Sequence, residues 1–425
     1  MKLLIKNGYV VDPANKIDEK LDVLVNNGKI EKTGKSIAGK EAKVIDAEGC
    51  VVTPGFIDMH VHFREPGHEY KETIETGSRA AAKGGFTTVC CMPNTNPPLD
   101  NQAMIEFINM KSKQVGLIDV LAIGTITKAR AGEEMAPIGE LFKAGAVAIS
   151  DDGSTVMNAE ILRRALEYCK MFNIPVIEHC EDKNLTVEGT MNEGFYSTKL
   201  GLKGIPNAAE ETIASRDIIL AKETGGKLHL AHMSTAGSIE LIANAKKNGI
   251  NVTCETAPHY FVLDDSMLTG YDTNFKMNPP LRSKDDVKAI KKALKDGIID
   301  VIATDHAPHA ELDKDLEFTL AAFGIIGLET ALPLIVEYLV RTKVLTMPQA
   351  IAKITCNPAK ILNLNKGTLS EGADADITIF NPDKGIVISE DFFAGQSTNS
   401  PFLGQEMHGA VLYTIKGGKV VYEVK

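Results

Sequence analysis

The sequence predicts an α/β protein: a (β/α)8 TIM barrel with a small β-sandwich domain built from both chain termini. Three observations carry this expectation. Through the middle of the chain, eight short apolar segments alternate with helix-compatible ones, as parallel strands and crossover helices do. At both ends, short strand-like runs sit between glycine turns. No GxGxxG turn follows the first middle strand, which counts against a doubly wound open sheet. A chain of 425 residues is long for one domain and allows one barrel plus a smaller partner.

Residues 1–54 read as β-structure. Leu3-Leu4-Ile5 is followed by Asn7-Gly8 and then Tyr9-Val10-Val11, and 21–25 alternates before Asn26-Asn27-Gly28. Asn-Gly between apolar runs signals a hairpin, so one is expected at each place. The tail repeats the pattern at 375–380, 410–415 and 419–422. Chain ends often lie close together, so 1–54 plus 366–425 are expected to form one β-domain around a barrel of 55–365. The barrel strands are expected at 55–62, 85–92, 119–127, 146–150, 174–179, 227–233, 250–255 and 300–304. Helix-compatible stretches lie at 71–83, 101–113, 159–172, 208–224, 238–247 and 284–296. The strands are nearly all apolar, as expected when both faces are buried.

Hydrophobic residues make up 44% and charged residues 24%, the composition of an ordinary globular chain rather than a disordered one. Basic residues number 46 and acidic 56, leaving a net charge of −10 with no basic block, so nucleic-acid binding is not expected. Lys2 and Lys6 flank three apolar residues, and no signal-peptide core follows. The most apolar stretch, 320–340, is interrupted by Glu329, Pro333 and Glu337, so it reads as buried helix and not as a membrane span. The seven cysteines form no CxxC pair, so reduced thiols in the cytoplasm are expected.

The residues with metal chemistry fall at the C-terminal ends of the expected strands, where barrel enzymes build their active sites. Strand one ends Asp58-Met59-His60-Val61-His62-Phe63-Arg64, and residues two apart on a strand share a face. Strand four runs into Ser150-Asp151-Asp152-Gly153, strand five ends at His179, strand six at His232, and strand eight at Asp305-His306. Imidazole and carboxylate suit zinc and related divalent ions. Four histidines and two aspartates exceed the needs of one tetrahedral zinc. They fit two ions about 3.5–4 Å apart that share a carboxylate and a hydroxide nucleophile. Taken singly, each element has a plainer reading. An HxH pair is weak, His179 and His232 alone read as core histidines, Asp151-Asp152-Gly153 as a turn, and Asp305 as a helix cap. Their joint arrangement on five of eight strands favours metal binding. His68, His229 and His408 lack that setting, and His229 reads as a core or supporting group.

In these residues the chain resembles the amidohydrolase superfamily, and within it the type I bacterial dihydroorotases. The run from Asp58 to Gly67 is similar to that family's first signature, and Ala303-Thr304-Asp305-His306-Ala307-Pro308-His309 to its second. Cys91-Met92-Pro93-Asn94-Thr95, Glu178-His179-Cys180, Ala231-His232-Met233, Lys276-Met277-Asn278-Pro279-Pro280 and 323–330 match in order between and after them. The resemblance implies that His60 and His62 hold one zinc ion and His179 and His232 a second. Asp152 would bridge the two, and Asp305 would bind the first and move the proton. It implies that His62, Arg64, Asn94, Asn278, His309, Phe323 and Gly324 contact the substrate. Arginine is also, independently, the bidentate binder of carboxylates. Spacing alone leaves Asp151 and Asp152 undecided.

The implied reaction is reversible closure of N-carbamoyl-L-aspartate to (S)-dihydroorotate in de novo pyrimidine (UMP) biosynthesis, with a metal-bound hydroxide and an aspartate general base/acid. Many members of the superfamily bridge their metals with a carboxylated lysine, but no lysine occurs here between Lys143 and Lys170. This counts against a hydantoinase, dihydropyrimidinase or allantoinase. A non-catalytic scaffold, the rival from another class, would be expected to have lost ligands that this chain keeps. The family type is compatible with a homodimer and with association with aspartate transcarbamoylase. The segment 307–317 is polar and reads equally as a closing lid or an ordinary loop.

Overall fold

The computed structural model describes residues 2–39 and 41–424. Strands β1 (Lys2–Asp12), β2 (Ile17–Asn26), β3 (Lys29–Gly34), β4 (Lys43–Asp46) and β5 (Val51–Pro54) open the chain. The barrel strands are β6 (Phe56–Val61), β7 (Phe86–Cys91), β8 (Asp119–Gly124), β9 (Ala148–Ser150) and β10 (Val176–Glu178), followed by β13 (Leu228–Leu230), β14 (Val252–Thr256) and β15 (Val301–Ile302). Between β10 and β13 a small pair intervenes, β11 (Met191–Asn192) and β12 (Gly204–Ile205). The chain closes with β16 (Ile377–Val387), β17 (Glu406–Lys416) and β18 (Lys419–Glu423).

All eight expected barrel strands are present, and each pairs in parallel with its neighbour in sequence order. Closure is made beyond the short β15. Val61 bridges His306 in parallel, and the His62 N–H donates to the His306 carbonyl at 2.8 Å. The barrel is therefore zipped at its C-terminal end. Alternation sorts the side chains. Cys90, Ile123, Ala148, Ile177 and Val301 share one interior cluster, while Val89, Val120, Ile149, Val176 and Ile302 pack outward with the helices. Polar residues top the inward lines. His179 follows Ile177 by two residues, and Glu255 follows Thr253.

All six expected helices form, at Ile74–Lys83, Gln102–Val115, Ala159–Cys169, Asn207–Thr224, Ala236–Lys247 and Lys284–Lys295. A helix at Ile138–Ala144 was not expected. With seven residues between Pro137 and Gly145, it is too short to show a period. The apolar stretch folds as a buried helix, Ala331–Ile335, continued by a π turn, Val336–Val340. Among the described residues no helix is long and apolar enough to cross a membrane.

The terminal strands join in one mixed eight-stranded sheet, in the order β18-β17-β16-β5-β1-β2-β3, with β4 also on β1. Leu3, Ile5, Val23 and Val25 share a core with Ile377, Ile379 and Ile415, so both chain ends close on one apolar cluster. One expectation is corrected here. Asn7-Gly8 is not a hairpin turn but a bulge within β1. Leu3 to Lys6 pair with β4, Tyr9 and Val10 pair with β5, and the bulge lies between the two. The hairpin expected at Asn26-Asn27-Gly28 does form, with Asn27 and Gly28 both at positive φ.

Candidate active site

Five strand ends bring six side chains to one point in the barrel mouth: His60, His62, Asp152, His179, His232 and Asp305, none more than 9% exposed. Asp152 lies at the centre. Its carboxylate oxygens stand 3.4 Å from His60 Nε2, 3.5 Å from His62 Nε2, 3.6 Å from His232 Nε2 and 3.7 Å from His179 Nδ1. Asp305 Oδ1 lies 3.1 Å from His62 Nε2 and 3.5 Å from His60 Nε2. His232, Asp305 and Arg64 all hold positive φ, an uncommon backbone for such residues and a frequent one at functional sites.

The outer partners set the tautomers. A carboxylate can only accept, so the nitrogen facing it carries the proton. His60 Nδ1–H donates to Glu255 Oε1 at 2.6 Å, and His179 Nε2–H donates to Glu181 Oε2 at 2.8 Å. His62 Nδ1–H donates to the Asn94 amide oxygen at 2.9 Å. The opposite nitrogens turn inward: His60 Nε2 toward Asp152, His62 Nε2 toward Asp305, and His179 Nδ1 toward His232 Nε2 at 2.8 Å. His60 Nε2, His232 Nδ1 and Asp152 Oδ1 are buried and complete no hydrogen bond. Buried carboxylates and imidazoles with unused lone pairs suit a cation. His60, His62 and Asp305 form one group with ligand atoms within 4.8 Å of one another, and His60, Asp152 and His232 form another. These residues fit divalent metal ions.

The electrostatics agree. Burial pushes Asp152 and Asp305 up, but the neighbouring histidines, His60 first, hold both well below the usual carboxylate range. Glu255 is likewise held at about 2 against its burial, by His60 and His229. Burial lowers the Arg64 guanidinium to about 10, and it stays charged near neutral pH.

Of the two aspartates that spacing left open, Asp152 is the one that points into the cluster. Asp151 turns away and is used up in bracing the loop after β8. Its carboxylate accepts the Ile126 and Thr127 N–H groups at 2.8 and 3.1 Å, and the Thr127 hydroxyl as well.

The residues expected to meet substrate ring this cluster on three sides. Asn94 sits behind His62. Asn278 Nδ2 donates to Glu181 Oε2 at 2.7 Å, beside His179. Arg64 Nε donates to the Pro308 carbonyl at 3.1 Å, with His309 Nε2 3.2 Å from its guanidinium. His309 Nε2–H donates to the Phe323 carbonyl at 2.8 Å. Burial, then Arg64 and Lys71, keep this ring neutral. Both polar groups of Gly324 are engaged by protein: its N–H by the Lys276 carbonyl, its C=O by Lys314 Nζ and Asn399 Nδ2. Its φ is 131°, and a Cβ would lie 2.7 Å from that of Ala307, so only glycine fits. In the segment after Asp305, His309 is buried and Lys314 Nζ is tied to the carbonyls of Ala322 and Gly324, while Leu312 and Leu316 between and beyond them are exposed.

Glu255 and Glu181 were not anticipated. Glu255 also accepts from His229 Nε2 at 3.2 Å, which makes His229 the supporting group it was read as. The signal for Glu255 was a carboxylate inside an apolar strand; Glu181 had none. His68 and His408 stand apart from the cluster, on Tyr70 and Glu337.

The amidohydrolase family profile matches residues 51–421. The chain is 54% identical to a dihydroorotase of Pelobacter propionicus over 99% of this chain and 100% of that one. It is 56% identical to one of Geobacter sulfurreducens over 99% of each. Among solved structures it superposes on a dihydropyrimidinase from Brevibacillus agri with a TM-score of 0.88, at 27% identity over 100% of this chain and 95% of that one. An L-hydantoinase from Arthrobacter aurescens gives the same TM-score at 27% identity, over 99% of this chain and 96% of that one. The barrel is thus common to several cyclic amidases, while sequence identity doubles toward one of them. The chain belongs to the amidohydrolase family, on its dihydroorotase branch.

Proposed function

We propose that this protein is a dihydroorotase, a metal-dependent cyclic amide hydrolase that interconverts N-carbamoyl-L-aspartate and (S)-dihydroorotate. The observation that carries the reading is one barrel mouth holding the four-imidazole, two-carboxylate cluster with the Arg64 guanidinium beside it. In this reading 1–54 plus 366–425 form the β-sandwich domain and 55–365 the catalytic barrel. The expected complement is two Zn2+, one on His60, His62 and Asp305, the other on His179 and His232, with Asp152 shared. When bound, such ions supply Lewis acidity and activate water near neutral pH.

The side chains do the rest. Arg64 pairs with the substrate carboxylate, and the neutral His309 beside it offers hydrogen bonding without a second charge. Asn94 and Asn278, on opposite sides, orient the polar groups of the ring. In the hydrolytic direction Asp305 takes a proton from the attacking water and returns it to the departing ring nitrogen. Burial of the whole cluster keeps these charges unscreened. A cytoplasmic location, a homodimer and association with aspartate transcarbamoylase are all compatible with this reading.

The test is ring opening by purified, metal-loaded protein of dihydroorotate, hydantoin and dihydrouracil, assayed side by side. Selective opening of dihydroorotate, lost on chelation, is expected. Preference for hydantoin or dihydrouracil would overturn the substrate assignment, and no turnover with metal confirmed bound would favour a scaffold role.

A further inference from the structure

Residues 394–402 run from the terminal sheet across the barrel mouth. Buried carboxylates hold this segment by its backbone. Glu329 accepts the Ala394 N–H, and Glu72 accepts the Gln396 N–H at 3.3 Å. Gln396 Nε2 donates to the Tyr70 carbonyl at 2.7 Å, and Ser397 Oγ to the Lys71 carbonyl at 2.8 Å. Beyond these anchors lies Asn399, 6% exposed. Its side-chain amide makes three hydrogen bonds, all to the segment that follows Asp305. Oδ1 accepts the His309 N–H, and Nδ2 donates to the carbonyls of Ala307 and Gly324, each at 3.1 Å. Its own carbonyl accepts the Ile326 N–H at 3.0 Å.

We infer that Asn399 is a positioning residue for substrate binding. The inference rests on the dihydroorotase reading and deepens it. Asn399 grips both neighbours of Pro308, whose carbonyl receives Arg64 Nε. It thereby orients the acceptor that aims the guanidinium, and it fixes the backbone of the histidine beside it. Through Gly324 it also holds the far wall. The amide suits the task because its three partners are one N–H and two carbonyls. Aspartate has no donor for the carbonyls, serine is one group short, and glutamine is a methylene too long. Asn399 touches none of the six ligand candidates in these bonds, so its loss acts on binding and leaves the proton-transfer groups in place.

The test uses the full chain, metal-loaded, as Asn399→Ala and as the isosteric Asn399→Asp, with Gln396→Ala as a control that loosens the same segment elsewhere. KM for dihydroorotate is expected to rise about tenfold in both Asn399 variants, with kcat within about threefold and metal per chain unchanged. Gln396→Ala is expected to keep the wild-type KM. An unchanged KM in the Asn399 variants would overturn the inference. So would an equal rise in Gln396→Ala, a rate loss that tracks metal loss, or failure of both Asn399 variants to fold, since each makes the role purely structural. A wild-type protein that does not open dihydroorotate fails the functional reading instead, which separates the two.

Discussion

At the scale of single residues, Glu255 governs how His60 can serve. The carboxylate fixes the proton on Nδ1 and raises the basicity of Nε2, and His229 holds it from behind. Removing such an outer carboxylate costs about 10–100-fold in metal affinity. Glu255→Gln is expected to weaken zinc binding by that factor in a competition titration with a chelating indicator; unchanged affinity would remove Glu255 from the site. Asp305→Ala is expected to abolish turnover with far-UV circular dichroism preserved, and near-normal rates would refute its proton role. Sequence exposed His60 and Asp305 because each ends an apolar strand with a side chain that has little other reason to be there. It hid Glu255 because the partner of that carboxylate lies 195 positions away and meets it only in the closed barrel. It left Asp151 and Asp152 equal because their difference is one of direction. Ile126, Thr127 and their loop claim the first, and only that packing frees the second.

At the scale of elements, β1 shows how a local signal can be overruled. Asn-Gly is the same dipeptide at 7–8 and at 27–28, yet only the second turns the chain. Residues 29–34 can fold back on the strand before them, and the antiparallel ladder confirms the turn. At 7–8 the chain continues on the same strand, because β4 and β5 occupy successive halves of its far edge. Those partners lie about forty residues on, beyond the reach of a turn rule. Gly8 is needed there for space and not for its φ. A Cβ on it would lie 2.4 Å from Val52 Cγ2 and 3.2 Å from the Ala47 Cβ. Overpacking of that kind costs about 1–3 kcal/mol. Gly8→Ala is therefore expected to lower the unfolding free energy from urea titration by that amount, and the midpoint with it, while kcat and KM stay at wild-type values, since the bulge is remote from the barrel mouth. An unchanged midpoint would mean that the sheet yields around Val52 at no cost.

At the scale of the whole molecule, the eight-fold repeat was legible because parallel strands buried on both faces must be apolar, and their spacing counts them. The joining of the two chain ends was legible only as an expectation, since no local feature at 3–5 names 377–379 as a neighbour in the core. The candidate metal site is more non-local still. Its candidate ligands run from His60 to Asp305 across five strand ends, so an unfolded chain presents no such site. An ion that binds only the folded state adds stability by mass action, about 2.7 kcal/mol at a hundred times its Kd. For a chain of this size, with an unfolding entropy of about 2.1 cal/mol/K per residue, that is worth roughly 3 °C in melting temperature per ion. Three buried carboxylates, Asp152, Asp305 and Glu255, surround His60, and without cations their repulsion is relieved only by protons on the imidazoles. Chelated protein is thus expected to keep its far-UV spectrum but to melt about 3–6 °C lower for one or two ions lost, with zinc restoring the loss and Glu255→Gln recovering less of it at the same zinc concentration. A melting temperature indifferent to verified metal removal would show that the six ligand candidates do not bind a metal ion tightly in the folded state, and the two-ion assignment would fall with it.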